Sequence, residues 1–240
     1  MIKKRMKYII APKVMDLVSV LKKMGADIQG EGTPQVVING KKKLEGFKHK
    51  VICDRIEAGT FMVFALASGG SVTIEGVSAN CLGAVIDILR NIGQKVQSKD
   101  GKIHVKRRGR LQPANLTTLP FPGFPTDLQA QFMVLLSCAG GISTITEKVY
   151  PDRFMHIPEL NRMGAKISRF GQVAIIEGIK KFSCAEVMAS DLRASACLVA
   201  AGLSASGKTT VHRLYHLDRG YENFVEKLVK LGADIRRNKE

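Results

Sequence analysis

An α/β fold built from repeated β-α-β-α-β-β units of about 70 residues is predicted by three observations on this chain of 240 residues. A helix-ending phrase returns four times at nearly constant spacing. A capped, apolar helix start returns three times, and β-branched runs follow those helices.

The first phrase is Leu21 to Ile28 (LKKMGADI). It returns as Leu89 to Val96 (LRNIGQKV), Leu160 to Ile167 (LNRMGAKI) and Leu228 to Ile235 (LVKLGADI), at spacings of 68, 71 and 68 residues. In each, the glycine (Gly25, Gly93, Gly164, Gly232) reads as a left-handed helix stop, with a strand beginning just after it. The helix before the first phrase is amphipathic through Val14, Leu17, Val18 and Leu21.

The second phrase is Asp54 to Ala58 (DRIEA), then Thr126 to Ala130 (TDLQA), then Ser190 to Ala194 (SDLRA). Asp54 to Glu57 and Thr126 to Gln129 have capping-box spacing. The helices that follow are predicted to end at Gly69-Gly70, Gly140-Gly141 and Gly202, and strands at Ser71–Ile74, Ser143–Thr146 and Thr209–Val211 come next. Residues 1–50 hold only the second half of a unit: a helix, the Val36–Ile38 strand and a strand region at Lys41–Leu44, without a capped first helix. The chain therefore reads as starting in mid-repeat, truncated at its N-terminus. Residues 1–50 would finish a domain begun elsewhere, and residues 51–240 form a domain of three units.

Composition narrows the function. With 45% apolar and 24% charged residues the chain is globular, and it has no apolar run of the roughly 20 residues that cross a bilayer. The basic start, Met1 to Lys7, is not followed by a signal-type apolar segment, so a cytoplasmic location and no membrane partner are expected. The five cysteines lack C-x-x-C pairing and read as buried free thiols; the five histidines form no ligand cluster, so no metal is expected.

Lysine and arginine number 37 against 21 acidic residues, a net charge of +16, with 12 basic and 4 acidic residues in positions 1–50. An anionic partner follows. Nucleic acid is disfavoured, because aromatic residues are 6% of the chain, tryptophan is absent and no base-stacking motif occurs. Small phosphorylated substrates fit equally well. The runs Lys41–Lys43 and Lys106–Arg110 read as solvated loop faces.

Gly202 to Thr209 (GLSASGKT) matches the phosphate-loop pattern G-x-x-x-x-G-K-T. That loop needs a strand before it and a helix after it. Here a helix pattern precedes and a strand pattern follows, so a nucleotide triphosphatase is not the reading.

Asp127 stands at a predicted helix start after the Pro122-to-Pro125 approach, as an ionised base or as a plain cap. Arg153, Arg193 and Arg219 stand near helix starts, where a cation opposes the dipole. They read either as bidentate ligands for phosphate and carboxylate or as ion-pair partners of Asp191 and Asp218.

Four longer motifs go further: Phe124 to Phe132 (FPTDLQAQF), Arg153 to Leu160 (RFMHIPEL), Ser190 to Ala196 (SDLRASA) and Tyr215 to Glu222 (YHLDRGYE). With Asp54 to Thr60 (DRIEAGT), they resemble the enolpyruvyl transferases over nearly the whole chain, most closely the branch acting on UDP-N-acetylglucosamine. The resemblance implies an inside-out α/β barrel of two three-unit domains, of which this chain looks like the C-terminal part. It implies transfer of the enolpyruvyl group of phosphoenolpyruvate to the sugar 3-hydroxyl with release of phosphate, the first committed step of peptidoglycan synthesis, without a cofactor. By the same resemblance Asp127 is the carboxylate beside that hydroxyl. Arg193 and Arg219 bind phosphoenolpyruvate or its phosphate, Arg153 is a further active-site arginine, and Val149 makes a backbone contact to the uridine-sugar. The lysine and the cysteine acid that the family keeps in its other half have no counterpart here, so a separate N-terminal half is an implied partner. Two rivals stay open: the shikimate-pathway branch, and a non-catalytic basic protein binding nucleic acid or an acidic partner.

Overall fold

A computed structural model describes residues 2–5, 10–33 and 35–238, the first four by their backbone only. The chain opens with β1 (Ile2–Arg5), α1 (Pro12–Lys23), β2 (Asp27–Gln29) and β3 (Gln35–Asn39). Next come α2 (Arg55–Ala67), β4 (Ser71–Glu75), α3 (Gly83–Asn91), β5 (Lys95–Lys99) and β6 (Lys102–Lys106). The third set is β7 (Asn115–Thr117), α4 (Gln129–Ser137), β8 (Ile142–Thr146), α5 (Ile157–Arg162), β9 (Lys166–Phe170) and β10 (Val173–Glu177). The last is β11 (Glu186–Met188), α6 (Leu192–Ser204), β12 (Thr210–His212) and α7 (Phe224–Lys230).

The repeat read from the glycines is physically present. Gly25, Gly93, Gly164 and Gly232 hold φ of 90°, 83°, 86° and 91°, each just past the end of α1, α3, α5 or α7. Only glycine takes that conformation without a Cβ penalty, so the phrase stops every second helix the same way. Three sheets then share one order: β1-β3-β2, β4-β6-β5 and, after the parallel partner β7, β8-β10-β9. In each the last strand in sequence lies centrally and is antiparallel to both neighbours.

The unit built on β11, α6, β12 and α7 departs from this pattern. The strand expected after Gly232 is absent, because residues 233–238 have no pairing strand within the described chain, and β11 and β12 form a two-stranded parallel sheet. Beside β12 lies a groove of about 1580 Å³, lined by Phe61, Phe64, Val211, Leu228, Leu231 and Ile235 among others. The strand expected at Lys41–Leu44 is likewise an exposed loop.

Most of the core is one cluster running from Ile56 to Leu228, at whose centre α2, α4 and α6 pack on one another. These helices are buried on nearly every face, which explains their uniformly apolar sequences. A separate small cluster of Val18, Ile28 and Val36 serves the first fifty residues.

Four local readings are corrected. α6 does not stop at Gly202 but runs through it to Ser204; a Cβ there would lie 3.3 Å from the Thr209 side chain, so the glycine serves close packing. Thr126 and Gln129 form no capping box, since residues 126–128 are a 3-10 turn and the Thr126 hydroxyl donates to Glu147. Of the cysteines only Cys197 is buried, while Cys53 and Cys184 are exposed. Arg107 is not solvated loop: it donates to the carbonyl of Leu66 at 2.8 Å, in the last turn of α2, where a cation suits the dipole. The segment from Gly202 to Thr209 is a helix end leading to a strand, the reverse of a phosphate loop.

Candidate functional site

The N-terminal ends of α2, α4 and α6 meet at one place. Asp54 caps α2, accepting from the backbone N–H groups of Ile56 at 2.7 Å and Glu57 at 3.1 Å. Asp191 caps α6 in the same way, through Arg193 at 2.7 Å and Ala194 at 3.0 Å. Asp127, in the 3-10 turn that leads into α4, caps nothing. Its carboxylate instead accepts from Arg153 Nη1 at 2.7 Å, and Arg193 Nη2 lies 3.4 Å from its other oxygen.

Those two ion pairs bear on the cap reading of Asp127 and on the Asp191 pairing of Arg193. Asp127 is not a cap, and Arg193 turns to Asp127 rather than to Asp191. Arg55, at the start of α2, is half-buried over the Phe121 ring and also faces the Asp127 charge. Two guanidinium groups thus pair with one carboxylate, whose charge Arg55 also feels.

The approach of these parts depends on small residues. A Cβ on Gly59 of α2 would lie 2.5 Å from Leu128 Cδ1, so glycine there lets the Asp127 turn settle on the helix. Arg153 is delivered by a loop wound around Glu147, which is fully buried. Its carboxylate accepts from the Thr118 hydroxyl at 2.5 Å, the Thr126 hydroxyl at 2.9 Å, and the N–H groups of Val149 and Tyr150 at 2.9 Å each. The Val149 N–H is therefore engaged, and any contact made by its backbone must use the carbonyl.

Burial would push the Asp127 carboxyl up, but Arg193 and Arg153 outweigh it and hold the group below its ordinary value. Asp127 is therefore ionised at neutral pH. Burial draws Arg193 down while Asp127 and Tyr221 draw it up, leaving it above its ordinary value. Arg219 stands apart: it is exposed at the end of a 3-10 turn and makes no ion pair among the described residues, while Asp218 pairs with Arg237 at 2.6 Å.

Sequence reasoning missed Arg55, Glu147 and Tyr221. A signal for Arg55 exists, because in the repeated phrase it takes the place held by Asp127 before LQA and by Asp191 before LRA. Tyr221 carries no such signal, since its partners are distant in sequence, and neither does Glu147, whose hydroxyl partners Thr118 and Thr126 lie 29 and 21 residues earlier.

His156 is 2% exposed and its Nε2 has no hydrogen-bond partner. Burial pushes its pKa down to about 4, with Asp191 acting upward and Arg153 downward. A histidine depressed in the folded state binds its proton only on unfolding between its unfolded pKa near 6.5 and about 4, so stability falls as pH drops through that window. The loss amounts to about 3 kcal/mol. Urea unfolding at pH 7 and pH 4.5 checks this: His156→Gln removes much of the difference, and an unchanged difference refutes the assignment.

Among the described residues no group of three His, Cys, Asp or Glu side chains could hold a metal ion, and no helix is long and apolar enough to cross a membrane.

Known proteins resemble this chain in sequence and in fold. The family model for EPSP synthase (3-phosphoshikimate 1-carboxyvinyltransferase) matches residues 2–228. The UDP-N-acetylglucosamine 1-carboxyvinyltransferase of Haemophilus ducreyi is 50% identical over 230 residues, which is 95% of this chain and 54% of that protein. The protein of the same name from Geotalea uraniireducens is 48% identical over 95% of this chain and 55% of its own length. Among solved structures, the enolpyruvyl transferase NikO from Streptomyces tendae superposes with a TM-score of 0.85 at 32% identity, covering 94% of this chain and 54% of that one. EPSP synthase from Acinetobacter baumannii gives 0.71 at 25% identity. The chain spans about half the length of the curated relatives it matches.

Proposed function

This chain belongs to the EPSP synthase (3-phosphoshikimate 1-carboxyvinyltransferase) family, and from that premise we propose that it forms one side of an enolpyruvyl transferase active site. The substrates are phosphoenolpyruvate and UDP-N-acetylglucosamine. The observation that carries the reading is the pair of arginines, Arg153 and Arg193, on Asp127, an ionised carboxylate held by positive charge.

In the proposed reaction the 3-hydroxyl oxygen of the sugar bonds to C2 of phosphoenolpyruvate, the bond from C2 to the phosphate oxygen breaks, and phosphate leaves with its electron pair. The hydroxyl proton must go to a base. Asp127 is ionised but weakly basic, so its contribution is position: it holds the hydroxyl and takes the proton as the new bond forms. Arg193, part-buried beside Asp127, and Arg219, on the exposed turn, carry the phosphate and carboxylate charges. Arg153 holds Asp127 in place, and the Val149 carbonyl meets the uridine-sugar.

Residues 1–50 finish a domain begun in the part of the relatives that this chain does not match, and residues 51–240 form the three-unit domain. No cofactor enters the scheme. The setting proposed is peptidoglycan precursor synthesis in the cytoplasm; the +16 charge suits the anionic substrates. The UDP-sugar substrate is preferred to a shikimate-type one because both of the relatives compared above carry that name at about half identity.

The test is phosphate release from the two substrates by the purified chain, alone and mixed with a separately produced N-terminal portion of a relative. Turnover is expected in the mixture and not from the chain alone. Folded components that give no turnover together, with steeply salt-dependent binding to nucleic acid instead, would favour the basic binding protein.

A further inference from the structure

We propose that Tyr221 is a positioning residue for Arg193, holding the guanidinium plane with a neutral acceptor so that its charge stays available to a bound anion. The proposal rests on the anion-binding role given to Arg193 above. Arg193 Nη1 lies 3.4 Å from the Tyr221 hydroxyl, while Nη2 faces Asp127. The guanidinium is therefore held at two nitrogens by acceptors on separate elements.

The hydrogen-bond directions around the phenol follow by elimination. Thr60, fully buried on α2, has one hydroxyl hydrogen and donates it to the carbonyl of Ile56 at 2.8 Å. The contact of 2.9 Å between Thr60 Oγ1 and Tyr221 must then be a donation from the phenol. With its hydrogen spent, the Tyr221 oxygen can only accept, and it faces two donors: Arg193 Nη1 and, at 3.5 Å, Gln131 Nε2 of α4. Gln131 also donates to Thr60 at 3.2 Å. One residue from each of α2 and α4 thus orients the phenol toward the third helix.

The ring itself cannot drift. Tyr221 is 3% exposed and packs on Phe224 with centroids 5.3 Å apart. Its backbone comes close to α6 because residue 220 is glycine: a Cβ there would lie 2.7 Å from Leu192 Cδ2, on the neighbour of Arg193. Burial raises the phenol's pKa, so it accepts as a neutral group. A second carboxylate in its place would hold Arg193 more tightly but would cancel the charge that an incoming phosphate needs.

Nitrogen-15 NMR of the arginine side chains in the ligand-free chain tests the proposal, with Arg193 assigned through Arg193→Lys. In the parent protein the two Nη signals of Arg193 are expected to be separate, reporting slow rotation. Tyr221→Phe keeps the ring and removes the acceptor. It should speed that rotation and lower the affinity for inorganic phosphate, each about tenfold, leaving the Arg153 signals in place. Thr60→Val, which removes the phenol's own acceptor, should fall between the two and stands in if Tyr221→Phe does not fold. Rotation and phosphate affinity within twofold of the parent in both variants, whatever happens to thermal stability, would overturn the proposal. Undiminished phosphate binding by Arg193→Lys would instead remove the anion-binding reading, while the rotation still decides whether Tyr221 positions Arg193.

Discussion

Asp127→Asn, assayed in the mixture with an N-terminal portion of a relative, should lose about 10³-fold in turnover while the chain stays folded. The reason is the pairing of charge and place. An amide there keeps the shape and can still accept from Arg153 on its oxygen. It cannot take a proton, and its NH₂ would face Arg193, a donor against a donor. The loss should appear mainly in kcat, because the proposed scheme gives the phosphate to the arginines rather than to the carboxylate. Since Arg193 and Arg153 hold Asp127 below the ordinary carboxylate range, it remains ionised down to acid pH. The activity of the parent mixture should therefore show no acid limb from this group between pH 5 and 8. Retention of turnover within tenfold would remove Asp127 as the base and leave it as the anchor of the two arginines.

Gly178→Ala should cost roughly 4 kcal/mol and lower the melting temperature by about 10 °C. Gly178 follows β10, where its N–H donates to Gly141 at 2.8 Å and that of Ile179 donates to Ser137 at 2.8 Å. Strand exit and helix end are so close that a Cβ on Gly178 would lie 1.9 Å from the Ala139 carbonyl oxygen. That atom belongs to the backbone and cannot rotate away. The methyl would push β10 off the end of α4 and break the bonds that satisfy the last helical carbonyls. Gly83→Ala is the control, because a Cβ there meets nothing within 4 Å and its φ of −46° and ψ of −59° are helical. That variant should be neutral or slightly stabilised by the smaller entropy of its unfolded chain. Equal losses in the two would sink the argument.

The repeat was legible in the sequence because each stop glycine answers a local steric demand, readable from eight consecutive residues. The cap at Asp54 was legible for the same reason. Asp127 was not, since a helix cap and an ion-pair partner draw on the same residue type at the same place, and only the arginine 26 residues downstream tells them apart. Tyr221 meets Thr60 across 161 residues and Gln131 across 90, contacts that no local pattern encodes. Arg107 looked like surface because its partner carbonyl lies 41 residues earlier. The strand foreseen after Gly232 failed for a related reason: the local sequence supplies the start of a strand, but pairing needs a neighbour.

The open side of β12 bears on how copies of this chain treat one another. Thr210 to His212 form an edge beside an apolar groove, the kind of surface on which a foreign strand can be templated. What opposes it is long-range repulsion from the +16 charge, a force that counter-ions shorten from a reach of about 30 Å at 0.01 M salt to about 3 Å at 1 M. Colloidal stability is then governed by the buffer as much as by the fold: dilute electrolyte keeps the edges apart, and concentrated electrolyte lets them meet.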